Sequence, residues 1–166
     1  MIYRFSDSSP PFLRLTTSSG TVGQTVGVLG NHFLSASSVE FNGTPASFNV
    51  RSDNYLVTQV PSGETGFVRV NTSQGDLTSN AVFRVAPQIS AFSPPGGKAG
   101  DTVSVTGTGL IQATGLTVGG VAVTTFTVLS DSTVVFAVPE EARTGKITVT
   151  TPGGTVTSRS AFAVHQ

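Results

Sequence analysis

The chain has no cysteine and no tryptophan, and only one methionine and two tyrosines. Without cysteine there is no disulfide framework, thiolate zinc site, iron–sulfur cluster or cysteine nucleophile. Charge is sparse too: 11% of the 166 residues are charged, and nine Lys+Arg balance nine Asp+Glu. A chain without net charge lacks the basic face that a phosphate backbone requires, so no nucleic-acid partner is expected. No apolar run reaches the roughly 18 residues of a membrane-spanning helix, so no membrane insertion is expected. The opening MIYRFSDSSPPFLRL puts Arg4, Asp7 and three serines where a secretory signal keeps an apolar stretch. No signal peptide is therefore expected within this chain. What is present is 37% hydrophobic residues, 19 glycines and 9 prolines. Val and Phe dominate the apolar set, which suits packed cores between frequent turns rather than disorder.

The chain repeats itself. Gly23, Val26, Val28, Gly30 and Gly43 fall on Gly100, Val103, Val105, Gly107 and Gly120. After a one-residue slip, Asp53 and Val60-Pro61 fall on Asp131 and Val138-Pro139. After another, Gly66, Gly75, Ser79 and Phe83 fall on Gly145, Gly154, Ser158 and Phe162. Pro10 meets Pro87 and Leu15 meets Phe92. The period is domain-sized, too long for a solenoid repeat. The expected division is an N-terminal arm or remnant strand at 1–9 and two units at 10–86 and 87–166.

Within a unit the apolar period is two. Thr102-Val103-Ser104-Val105-Thr106 and Gly145-Lys146-Ile147-Thr148-Val149-Thr150 both alternate, and Gly, Pro, Asn or Asp punctuates the runs. The pattern predicts seven strands in the first unit, near 12–16, 25–30, 38–42, 45–51, 55–60, 66–72 and 78–85. The second repeats them near 89–92, 102–107, 115–119, 121–128, 132–138, 145–150 and 156–164. Seven short alternating strands predict an all-β fold: two consecutive immunoglobulin-like β-sandwiches. The expected cores contain Val26, Val28, Phe41, Val60, Val68, Val70 and Phe83, then Val103, Val105, Val118, Val138, Ile147, Val149 and Phe162.

These residues carry a resemblance. Pro87-Gln-Ile89-Ser-Ala-Phe92-Ser-Pro94 followed by Gly97-Lys-Ala-Gly100-Asp-Thr-Val103-Ser-Val105-Thr-Gly107-Thr-Gly-Leu110 resembles the opening of an IPT/TIG immunoglobulin-like domain. Val118-Gly119-Gly120, Ser130-Asp131, Val138-Pro139, Thr144-Gly145 and Ser158-Arg-Ser-Ala-Phe162 continue it. The first unit follows through Gly30-Asn-His-Phe33, Phe41-Asn-Gly43, Ser52-Asp53, Val60-Pro61 and Ser79-Asn-Ala-Val-Phe83. It departs where Thr17-Ser-Ser-Gly20 replaces Pro94-Pro-Gly-Gly97. The resemblance implies the sandwich fold. It does not choose among surface proteins, receptors, transcription factors and glucanotransferases.

Residues that carry chemistry are scattered. His32 and His165 belong to no metal or nucleophile motif. Glu140-Glu141 follows Pro139 in a turn and reads as a solvated loop. No catalytic residue, cofactor or metal is expected, although Asp53-Asn54 or Asp131 would be the cation ligands if one bound. Gly107-Thr-Gly109 and Gly119-Gly120 precede no helix and read as turn glycines at positive φ. Asn42-Gly-Thr44 and Asn71-Thr-Ser73 fit the N-glycosylation sequon. Each unit carries four cations and four anions, so neither is a basic module.

The units differ on their outer faces. Alternation puts Phe67, Arg69, Val82 and Arg84 outside in the first unit, against Lys146, Thr148, Ala161 and Ala163 in the second. A ring among guanidinium groups has the composition of a contact patch. Tyr3 and Phe5 alternate in an arm at the same end of the chain, and self-association through that arm stays open. Contacts with a protein partner or larger assembly are therefore expected on residues 1–86. The competing site is the loops of the second unit around Gly119-Gly120 and Thr151-Pro-Gly-Gly154, taken as distal. No enzyme is expected. The expected role is a structural or recognition module on an outward-facing assembly, as a spacer or adhesive part of a bacterial cell-surface protein. The alternative is a virion component of a phage, a complete gene product; accessory domains of a carbohydrate-active enzyme are a remote third. The junction Val85-Ala86-Pro87-Gln88-Ile89 leaves no linker, and Pro87 restricts Ala86, which predicts an end-to-end pair with limited bending.

Overall fold

The computed structural model describes residues 10–165. The first unit contains β1 (Leu13–Leu15), β2 (Ser19–Thr21), β3 (Thr25–Gly30), β4 (Ser38–Phe41), β5 (Thr44–Ala46), β6 (Phe48–Ser52), β7 (Tyr55–Gln59), β8 (Val68–Thr72), β9 (Gly75–Thr78) and β10 (Arg84–Ala86). The second contains β11 (Gln88–Ser93), β12 (Gly96–Gly97), β13 (Thr102–Thr108), β14 (Gly115–Val118), β15 (Val121–Ala122), β16 (Phe126–Ser130), β17 (Thr133–Ala137), β18 (Gly145–Thr151) and β19 (Gly154–Val164). In each unit two sheets face each other: β1-β3-β7-β6 and β5-β4-β8-β9, then β11-β13-β17-β16 and β12-β19-β18-β14-β15. The β2-β10 pair is parallel, as is the equivalent β12-β19.

Seven strands per unit undercounts what forms. The segments expected as single strands at 45–51 and 121–128 each divide between the two sheets, as β5 then β6 and β15 then β16. β5 and β15 are short edge strands, and Pro45, which donates no backbone hydrogen bond, is tolerated at such an edge. The last strand of the first unit also breaks, into β9, which pairs with β8, and β10, which pairs with β2; between them only the isolated bridge Gly66↔Phe83 continues the pairing. In the second unit the same stretch is one strand, β19, with a register shift against β18 between Lys146 and Thr148.

A buried serine sets this irregularity in both copies. Ser79 Oγ accepts from Val68 N at 3.0 Å and donates to Ala81 O at 2.7 Å. Ser158 does the same with Ile147 N and Ser160 O, at 3.0 and 2.7 Å. The hydroxyl satisfies backbone groups that the interrupted ladder would otherwise leave unpaired inside the protein.

Every core residue expected above is buried, with relative exposure of 2% or less. Phe41 and Phe83 meet edge to face at 5.1 Å. Each buried side chain of this size contributes about 1.5–3 kcal/mol against its exposed state. Phe33 and its equivalent Leu110 also lie fully buried, although neither is in a strand. Phe33 opens a single 3₁₀ turn, Phe33–Ser35. Asp53 holds that turn: its carbonyl accepts from Phe33 N at 2.9 Å and its Oδ1 from Leu34 N at 3.2 Å. Asp131 treats Leu110 N and Ile111 N alike, at 3.0 and 3.5 Å. The two aspartates considered as cation ligands are thus turned onto backbone N–H groups.

Gly109, Gly119 and Gly120 have positive φ, but Gly107 does not. Gly107 lies in β13, where a Cβ would overlap the Gln88 carbonyl oxygen. Close approach of strand β11, not a turn, requires glycine there.

Candidate functional site: a built joint and an exposed face

β10 ends at Ala86 and β11 begins at Gln88, so the buried Pro87 is the whole linker. Around it one end of the first unit is fitted to one end of the second. Thr65 N donates to Gln112 Oε1 at 2.9 Å, and Gln112 Nε2 donates to Glu64 Oε2 at 3.4 Å. The same Glu64 oxygen accepts from Asn42 Nδ2 at 2.9 Å. Thr65 Oγ1 in turn accepts from Val85 N at 3.0 Å. Ser62 Oγ donates to Asp131 Oδ2, which also accepts from Gly109 N at 3.2 Å. Asp131 therefore holds its own turn and ties it to the first unit. A Cβ at Gly153 would overlap the Val85 carbonyl oxygen, and one at Gly109 would lie 3.0 Å from Ala86 O. Two backbones therefore approach closely where the units meet.

None of Ser62, Glu64 and Gln112 was singled out from the sequence, and Gly153 entered only within the Thr151–Gly154 loop, taken as distal. Their signal is departure from the repeat. The hairpin turns β8–β9 and β18–β19 correspond, and Gln74 stands where Gly153 does. Along the same alignment Ser35 stands for Gln112, Asn42 for Gly119, and Arg143 for Glu64. Asn42 and Gly119 share a left-handed backbone, φ 47° and 56°. Glycine suffices for that turn; asparagine adds an amide that reaches Glu64.

The expected patch residues stand on the outer side of the first unit. Phe67 is 51% exposed and Val82 38%. They immediately flank the antiparallel bridge Gly66↔Phe83, one on each strand. Arg69 is exposed on β8, in register with Glu40 and Thr78. Arg84 is exposed on β10, where its ladder partner is Ser19 of β2 rather than a residue of β8. Phe67 and Val82 are thus brought together, with Arg69 two residues beyond Phe67 on β8 and Arg84 two residues beyond Val82 on β10. Tyr3 and Phe5 lie outside the described residues.

The two loops taken together as distal lie at opposite ends. Gly153 packs on Val85 at the joint, whereas Gly119 packs on Arg143 at the far end. The histidines are apart: His32 precedes the 3₁₀ turn at φ 61°, and His165 lies beside Gly96. Among the described residues no three His, Cys, Asp or Glu side chains converge. No helix among them is long and apolar enough to cross a membrane. Of the two sequons, Asn42 is exposed, while the Asn71 side chain is tied to Ser38 Oγ and its buried Oδ1 has no partner among the described residues.

The family model of the IPT/TIG domain matches the chain twice, over residues 10–85 and 87–164. No curated protein matches it in sequence. Among solved structures, the surface glycan-binding protein PbSGBP-B from Prevotella bryantii is similar with TM-score 0.59 and 20% identity, over 93% of this chain and 42% of that one. SGBP-B from a complex xyloglucan utilization locus in Bacteroides uniformis is similar at TM-score 0.42 and 22% identity, over 93% and 50%. The Plexin A4 extracellular region matches at TM-score 0.46 and 21% identity, over 93% and 18%. This chain spans half or less of the length of each, and the likeness to the Prevotella bryantii protein, at 20% identity, is one of fold. The twice-repeated match, the facing sheets and the shared aspartate and serine devices together place this chain in the IPT/TIG domain family, as two consecutive immunoglobulin-like domains.

Proposed function

We propose that the chain is a non-catalytic structural and recognition module, a spacer or adhesive part of a bacterial cell-surface protein. In this reading it holds the outer face of the first domain at a fixed angle to the second. The observation that carries the proposal is the joint. Two domains on a flexible tether would need neither Gly153 against Val85 nor the Glu64–Gln112–Thr65 bonds. Such fitting is useful to a part that must transmit position. The contact face is Phe67 with Val82, flanked by Arg69 and Arg84, and the partner is a protein. A half-exposed ring beside guanidinium groups has the character of an interface anchor. The outward-facing placement is in keeping with the fold likeness to the Prevotella bryantii protein, whose name places it at a surface.

The test is attachment, scored as co-sedimentation of the chain with the cell envelopes or particles that carry it. Phe67→Ala combined with deletion of residues 1–9 should weaken attachment while both domains keep their melting transitions. Normal attachment of that variant, with loss on changing Gly119-Gly120, would reverse the assigned polarity.

A further inference from the structure

Asn42-Gly43 is the one Asn-Gly pair in the sequence. It forms the two-residue turn between β4 and β5, with both residues left-handed at φ 47° and 82°. Asn42 is exposed, and a Cβ on Gly43 would have nothing within 4 Å. The Gly43 N–H makes no hydrogen bond among the described residues. The nucleophile therefore belongs to the residue next to its target carbonyl carbon, in one exposed turn open to solvent base. The Asn42 amide is also not idle: it donates to Glu64, whose same oxygen accepts from Gln112 across the joint.

We propose that Asn42 is a site of spontaneous deamidation, and that the carboxylate it leaves loosens the joint. This rests on the reading of the joint given above. In the first step Gly43 N attacks Asn42 Cγ as a solvent base takes its proton. A C–N bond forms, the Cγ–Nδ2 bond breaks, and ammonia leaves with a proton from water. Water then opens the five-membered imide at either carbonyl. One product has an aspartyl side chain at position 42; the other routes the backbone through the side chain as an isoaspartyl link. Both replace a neutral donor by an anion. The contact with Glu64 at 2.9 Å changes from attraction to like-charge repulsion. Glu64 turns away, and Gln112 loses one of its two partners in the first domain. The second domain escapes this chemistry because Gly119 occupies the equivalent turn position.

The test ages the intact chain in mildly alkaline buffer and maps deamidation by peptide mass spectrometry. Spin labels, one on each domain, read the distance between domains in fresh and aged samples. The expected result is that Asn42 is modified ahead of every other asparagine. The modified fraction and the Asn42→Asp variant then both lose the single short-range distance peak of the fresh protein. Asn42→Gly, which keeps the turn and adds no charge, should broaden the peak less. Earlier modification of another asparagine overturns the site. A single peak in fresh protein that Asn42→Asp leaves unchanged overturns its effect. A broad distribution already present in fresh protein defeats the joint itself and is distinguishable from both.

Discussion

Gly153→Gln is the sharpest perturbation of the joint, because the protein already contains the answer for the rest of the turn. In the first domain Gln74 occupies the equivalent place, and the turn keeps its bonds: Thr72 Oγ1 donates to Gly75 O at 2.7 Å and accepts from Gln74 N at 3.2 Å. Thr151 makes the same pair with Gly154 O and Gly153 N, at 3.4 and 3.1 Å. Glutamine is therefore acceptable to the hairpin itself. The new Cβ instead overlaps the Val85 carbonyl, and forcing such an atom into a packed contact costs about 1–3 kcal/mol. Against it stand the two clear bonds across the joint, Thr65–Gln112 and Ser62–Asp131, each worth about 0.5–1.5 kcal/mol net. The two quantities are comparable, so the substitution lowers the ratio of docked to undocked forms by roughly 5- to 150-fold. Spin labels on the two domains should report a broad distance distribution in place of one peak, while both melting transitions stay. An unchanged distribution would refute the claim that this glycine exists to seat Val85.

Other consequences follow from the same contacts. Phe83→Ala or Phe162→Ala, each at a fully buried site, should cost about 3–5 kcal/mol, read from denaturant unfolding. Ser79→Ala strands Val68 N–H and Ala81 C=O and should cost about 1–3 kcal/mol, with Ser158→Ala matching it in the second domain. Gln112→Ala should broaden the distance distribution between domains without lowering either melting transition. Concentrated chain should not string end to end through copies of the joint. Gln74, Ser35 and Arg143 replace Gly153, Gln112 and Glu64 at the outer ends, and sedimentation that detects such strings would contradict this.

The fold was legible because the repeat is written in core residues. Val26, Val28, Val68, Val70 and Phe83 alternate and recur, and alternation is what a two-sided sheet demands. Phe33 and Leu110 escaped that reading, since they reach the core from a turn and obey no period of two. The switches between sheets at Ser47 and Val123 escaped it as well, because a strand that crosses to the other sheet keeps its β-forming composition. Asp53, Asp131, Ser79 and Ser158 were visible as repeated polar positions, but their roles need the backbone they cap. The joint was hidden for another reason. Gln112, Glu64 and Gly153 differ between the copies, so a search for repetition passes over them. The outward residues Phe67 and Val82 were readable from alternation alone, and they stand on the side that pattern implies.

The central claim is that the two domains move as one body through the joint at Pro87. Residual dipolar couplings measured for backbone amides of both domains in one aligned sample test it directly. The expected result is one alignment tensor that fits both domains, with the contacts of the joint in place, and its splitting into two tensors of unequal magnitude in Gly153→Gln. Two independent tensors in the unmodified chain would contradict it.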